Sequence, residues 1–177
     1  VVGNTEAGAT VQYSTNGSTW TSSYTPVDGG NTVQVRQIDV AGNTSAATTL
    51  TYTVDSTVAA PTLALASDTG TSSTDRITNN GALVVGNTEA GATVQYSSNG
   101  STWTSSYTAT NGGNTVQVRQ IDAAGNTSVA NTFSYTVDTV APSTPTVALT
   151  SDTGSSSTDR ITSNGALTIT NTETNAT

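Results

Sequence analysis

Short segments of alternating apolar and polar residues run the length of the chain, separated by clusters of Gly, Asn, Ser, Thr and Asp. Alternation with a period of two puts every second side chain on one face of an extended strand. On this basis TLAL (62–65) turns Leu63 and Leu65 inward, and ALVVG (82–86) turns Leu83 and Val85 inward. TVQYS (93–97) contributes Val94 and Tyr96, TVQVRQI (115–121) Val116 and Val118, and TFSYTV (132–137) Phe133, Tyr135 and Val137. A further strand is expected to carry Trp103. Asn99-Gly100 reads as a two-residue hairpin turn in which both positions need positive φ, and Asn111-Gly112-Gly113 as another turn. Between the first two strands lies a polar loop, SDTGTSSTD. No segment sustains a 3.6-residue period, so essentially no helix is expected. Gln120 falls on the inward parity of its strand, and alternation gives it no role beyond a place near one end of the fold.

The pattern recurs. Residues 1–55 and 84–138 differ at nine of 55 aligned positions. SDTGTSSTDRITNNG (67–81) returns as SDTGSSSTDRITSNG (151–165), and GALVVGNTE (81–89) as GALTITNTE (165–173). A period of this length suits one small antiparallel β-sandwich of seven short strands rather than a single solenoid coil. The boundaries predicted are a first repeat at 1–55 that lacks its first strand, a linker at 56–60, a complete repeat at 61–138, a linker at 139–144, and a partial third repeat at 145–177 with its first two strands. Residues 168–177 have the repeat phase of residues 1–10. A sandwich without an edge strand exposes backbone donors, so strand exchange between copies of the chain is also expected as a way to complete it.

Composition narrows the function. Of 177 residues 12 are acidic and 4 basic, a net charge of −8, with no His or Cys and only 33% hydrophobic residues. The acidic balance argues against nucleic acid and anionic membranes as partners and for cations. No hydrophobic run reaches membrane-spanning length. The absence of Cys excludes a disulfide framework. Lacking His, Cys and Lys, the chain is excluded from most triad and Schiff-base chemistry, and the Asp68 and Asp75 pair has no aromatic platform for glycoside hydrolysis, so no enzyme is expected.

Eleven of the twelve acids sit at repeated positions; Asp28, aligned with Asn111, does not. Strand order carries Asp55, at the end of the first repeat, to the end of the second repeat where the loops holding Glu89 (NTEAG) and Asp122 (DAAGN) lie. Three carboxylates converging there repel one another unless a cation joins them. Calcium takes six to eight oxygen ligands and fits such a cluster, with Asn126 or carbonyls completing the shell. The corresponding positions elsewhere are Asp138 with Glu173, and Glu6 with Asp39. A weaker set flanks the polar loop: Asp68, Asp75, Asp152 and Asp159, which equally suit Asx-turns. Trp20 and Trp103 suit packing better than sugar stacking, although a carbohydrate-binding module stays among the alternatives. The Asn-x-Ser/Thr sequences at Asn16, Asn43, Asn99, Asn126 and Asn175 follow from composition.

The motifs TVDTVAPSTP, SDTGSSSTDRIT, GALVVGNTEAGATVQYS and VRQIDAAGNTS resemble the bacterial immunoglobulin-like tandem repeats of large secreted, biofilm-associated surface adhesins of the RTX type. The resemblance covers the whole chain; the first linker, DSTVAAP, departs from the DTVAP form. It implies immunoglobulin-like sandwiches in series, an extracellular or cell-surface location, and calcium held at domain junctions by Asp55, Glu89 and Asp122, and by Asp138 with Glu173. The function expected is a stalk that extends an adhesin, with neighbouring repeats as its partners. The alternative is a subunit of a self-assembling matrix or sheath filament.

Overall fold

The computed structural model describes residues 1–173; Asn175 and the end of the third repeat lie outside the described residues. The described chain is all-β, without helix, and its sheets are built mainly from antiparallel pairs. Eleven strands occur in order: β1 (Thr10–Ser14), β2 (Gly29–Ile38), β3 (Thr48–Val54), β4 (Thr62–Leu65), β5 (Ile77–Thr78), β6 (Leu83–Gly86), β7 (Thr93–Ser97), β8 (Gly112–Ile121), β9 (Asn131–Val137), β10 (Thr146–Leu149) and β11 (Leu167–Thr170).

They form four sheets: β1-β2-β3, β4-β6, β5-β9-β8-β7 and β10-β11. Equivalent strands pair in equivalent register, Tyr13 with Val35 in the first copy and Tyr96 with Val118 in the second. The described residues pack as two compact units. One comprises Val1–Ala66, Ala82–Thr108 and Thr115–Ser134; the other comprises Ser67–Gly81, Ala109–Asn114 and the residues from Tyr135 onward.

In the first unit the core forms where alternation is strictest. On β8, Val116, Val118 and Gln120 are buried in turn, and all three are 0% exposed. Their counterparts on β2 are less covered: Val33 is buried, but Val35 and Gln37 are only half-buried. Residues 1–3 repeat the sequence of β6 yet form no strand. β4 pairs only with β6, and no further strand of the β4 type exists among the described residues to pair with them.

In the second unit, β5 runs parallel to the end of β9, Ile77 opposite Thr136 and Thr78 opposite Val137. No strand was expected between the polar loop and β6. Two β-branched residues suffice because Thr136 and Asp138 donate backbone hydrogen bonds to the Arg76 and Thr78 carbonyls, each at 2.9 Å. Asn114, buried at the start of β8, donates to the Thr110 and Gly112 carbonyls and accepts from the Thr110 amide, which closes the preceding turn.

Two local expectations differ from the structure. Asn99 is not at positive φ; only Gly100 is, at 75°. Asn99 Oδ1 accepts from the amides of Ser101 and Thr102, and Ser97 Oγ accepts from Gly100, so side chains rather than a two-residue hairpin turn the chain. The strand expected around Trp103 is reduced to a single bridge between Tyr96 and Thr104.

Candidate metal centre

The site is assembled in the first unit from three loops. Asp55 follows β3, Glu89 lies between β6 and β7, and Asp122 follows β8. One carboxylate oxygen from each lies within 4.8 Å of the other two. Asp55 is exposed, Glu89 half-buried, and Asp122 buried at 8% exposure. The sequence argument from strand order placed these three acids together, and they do converge.

Hydrogen bonds engage all three residues. Asp122 Oδ1 accepts from the amides of Ala124 and Asn126 at 2.9 and 2.8 Å, and Oδ2 from the Asn126 side-chain amide at 2.7 Å. That amide also donates to the Asp55 carbonyl at 2.9 Å, so Asn126 ties two of the three acids together. Glu89 Oε1 accepts from the Ala59 amide at 3.0 Å. Carboxylate oxygens carry spare lone pairs beyond these bonds, and Glu89 Oε2 and Asp55 Oδ2 add further acceptors. The donor set is hard, anionic and all-oxygen, which suits calcium or a similar divalent ion. Three negative charges at this spacing are costly without one.

The scaffold beneath the acids is Gln120, which is 0% exposed. Its Nε2 donates to the carbonyls of Ala59 (2.7 Å) and Asn87 (3.1 Å), and its Oε1 accepts from the Glu89 amide at 3.0 Å. Asn87, at φ 57°, donates its amide to the Ala60 carbonyl at 2.7 Å. Asn tolerates this left-handed conformation better than most residues. Sequence reasoning missed both roles. The inward parity of Gln120 was the available signal, because a buried polar side chain must find partners.

The remaining candidates do not join a comparable set; among the described residues no other three acids meet this spacing. Asp39 closes its own loop through Asn43 and Ala41, as Asp122 does. The Glu6 amide donates to Gln37, while Asp138 Oδ1 accepts from Val140, and Glu173 is exposed. Asp68 Oδ2 and Asp152 Oδ2 accept from Arg76 and Arg160, and Asp75 and Asp159 cap the amides of Ile77 and Ile161. These are turn-forming bonds, although Asp68 Oδ1 and Asp152 Oδ1 are buried without a hydrogen-bond partner. Trp20 and Trp103 are half-buried, and Arg36 and Arg119 each lie 4.0 Å from the ring centroid, covering one face.

Asp28 has a role of its own. Its Oδ1 accepts from the Ser56 amide and hydroxyl at 2.9 and 2.6 Å. Asn111 Oδ1 does the same for Thr139, at 2.8 and 3.1 Å. The position needs an acceptor, and aspartate and asparagine supply the same atom.

The Asn126 side chain is the leading cause that holds Asp122 below the ordinary value of 3.8, with backbone amides helping and burial opposing; Asn43 does this for Asp39. A carboxylate whose folded pKa is lowered contributes stability that is complete above the unfolded value and lost as pH falls through the folded one. Carboxyl NMR titration should therefore place Asp39 below 3.8. In Asn43→Ala its midpoint should rise, and an unmoved midpoint would show that the side-chain bond is not the cause.

No protein-family model matches the chain, and no curated protein matches it.

Proposed function

We propose that the chain is a structural extender: immunoglobulin-like sandwiches in series, stiffened where one repeat meets the next by calcium held between Asp55, Glu89 and Asp122. One observation carries this reading. An acid at the end of one repeat meets two acids from loops of the following repeat, on a scaffold in which buried Gln120 binds the linker carbonyl of Ala59. A module that fixes its neighbour at each step suits a stalk better than a catalyst. The repeated motifs and the acidic, cysteine-free composition favour an extracellular or cell-surface setting, supporting adhesion or biofilm formation.

Ion binding to the folded state alone stabilises it by RT ln(1 + [L]/Kd), about 2.7 kcal/mol at a hundredfold excess over Kd. Calcium should raise the melting temperature and chelator should reverse the rise. Glu89→Gln keeps the acceptor for the Ala59 amide but removes one charge, so its calcium-dependent shift should be much smaller. A melting temperature indifferent to calcium and chelator would overturn the proposal.

A further inference from the structure

Of the 12 acids and 4 arginines, only Arg36 and Arg119 lie within strands among the described residues; every acid lies in a loop or turn. The two arginines hold equivalent positions on β2 and β8, both in the first unit. Each stands opposite a glutamine of the neighbouring strand, Gln12 on β1 and Gln95 on β7. Arg36 Nε and Nη2 donate to Gln12 Oε1 at 3.0 and 2.8 Å, and Arg119 Nε donates to Gln95 Oε1 at 2.9 Å. Each guanidinium carbon lies 4.0 Å from the centroid of its tryptophan ring, Trp20 or Trp103. No carboxylate among the described residues pairs with either guanidinium.

The same cation thus recurs on two sheets of an acidic chain, and in both places most of its N–H donors have no protein acceptor. A guanidinium is planar, always charged, and presents forked N–H groups that match a carboxylate with two parallel bonds. Stacking and the glutamine fix it in advance, so little side-chain freedom is lost when a ligand binds. Around it the same face carries hydroxyls and amides: Thr32, Gln34 and Thr51 in the first copy, and Thr115, Gln117 and Ser134 in the second. Thr32 lies 3.2 Å from Thr51, and Thr115 3.1 Å from Ser134. The threonines and Ser134 are exposed, while the arginines, glutamines and tryptophans are half-buried.

We infer that this sheet face binds an acidic polysaccharide, one whose sugar rings carry carboxylates, with Arg36 and Arg119 each taking a carboxylate. The assignment follows from the chemistry that lies together. The planar cation suits the carboxylate, the hydroxyls and amides suit sugar hydroxyls, and the half-exposed indole suits the apolar C–H side of a sugar ring. Nucleic acid also offers rings and negative charge, but its charge is dense, and a chain of net charge −8 sets only one cation on each face against it. Two equal faces in one chain make binding bivalent wherever one polymer reaches both. The inference gives the stalk an adhesive side surface. It does not rest on the metal centre, and the experiment is done in chelator.

The probe is an oligogalacturonate, compared with the same oligomer after full methyl esterification. Salt is kept near about 0.1 M, where exposed charges more than about 10 Å apart are largely screened. In nitrogen-edited NMR spectra of the full chain, the Arg36 and Arg119 Nε–H signals should shift saturably with the acidic oligomer, while those of Arg76 and Arg160 stay in place. The ester should bind at least roughly tenfold more weakly, because it keeps the ring and loses the charge. Arg119→Lys keeps the charge and loses the fork. Read from Trp103 fluorescence in a Trp20→Phe background, it should lower affinity roughly tenfold. Equal shifts at all four arginines would mark general charge attraction and overturn the inference. Equal affinity for the ester, or no shift at Arg36 and Arg119, would overturn it too.

Discussion

Replacing Gln120 with Leu should destabilise the complete repeat by about 3 kcal/mol, far more than the same change at Gln37. Gln120 is fully buried and satisfies three backbone groups: the Glu89 amide and the carbonyls of Ala59 and Asn87. Leucine has a similar volume but no polar atom. Each buried group left without a partner costs about 1–3 kcal/mol, partly offset by the apolar side chain that replaces the amide. Gln37 makes only the equivalent bonds to Glu6 and Asn4 and is half-buried, with water able to replace it. Gln37→Leu should therefore cost less than about 1 kcal/mol. Each of these repeats contains one tryptophan, so urea unfolding read from Trp103 in a Trp20→Phe background reports the second repeat, and the converse background reports the first. Equal losses at the two sites would show that the linker contact contributes nothing.

Gly81→Ala should cost about 2 kcal/mol, while Gly165→Ala, the same substitution in the next repeat, stays within about 0.5 kcal/mol. A Cβ on Gly81 would sit 2.6 Å from Ala109 Cβ and 3.1 Å from Val137 Cγ2, whereas nothing lies within 4 Å of one built on Gly165. Ala109 Cβ is fixed to its backbone and cannot swing aside, so the backbone segments that carry Gly81 and Ala109 must shift. Neither glycine has positive φ, so strain in the backbone does not enter. Ala109→Gly should recover most of the loss in the double variant, and thermal melting of the four proteins measures this coupling. Without that recovery, the close contact is not the cause.

The strands were legible because alternation is a property of neighbours in sequence. Val116 and Val118 announce an inward face, and the structure buries both. β5 was not, since Ile77 and Thr78 become a strand only through the distant Thr136 and Val137. The turn at Asn99-Gly100 was misread for a related reason. The dipeptide suits a tight hairpin, but the oxygens of Ser97 and Asn99 bind the loop amides and open a wider turn.

The acidic cluster was legible because strand order alone brings loops to a common end, without any knowledge of side chains. Its support was not. Gln120 showed the wrong polarity for its parity, and its partner Ala59 lies 61 residues away in a linker with no periodic pattern. Asp28 was set aside because the aligned residue is Asn111, yet that mismatch preserves the one atom that matters.

That interchange bears on how the molecule ages. Asn111 precedes Gly112, the arrangement in which an asparagine side chain is most readily attacked by the following backbone nitrogen and hydrolysed to a carboxylate. Where that reaction yields aspartate, it produces at position 111 the residue already present at Asp28, with its oxygen still facing the amide and hydroxyl of Thr139. In molecules that open to aspartate the linker anchor keeps its acceptor, whereas opening to isoaspartate adds a methylene to the backbone and moves it away from Thr139.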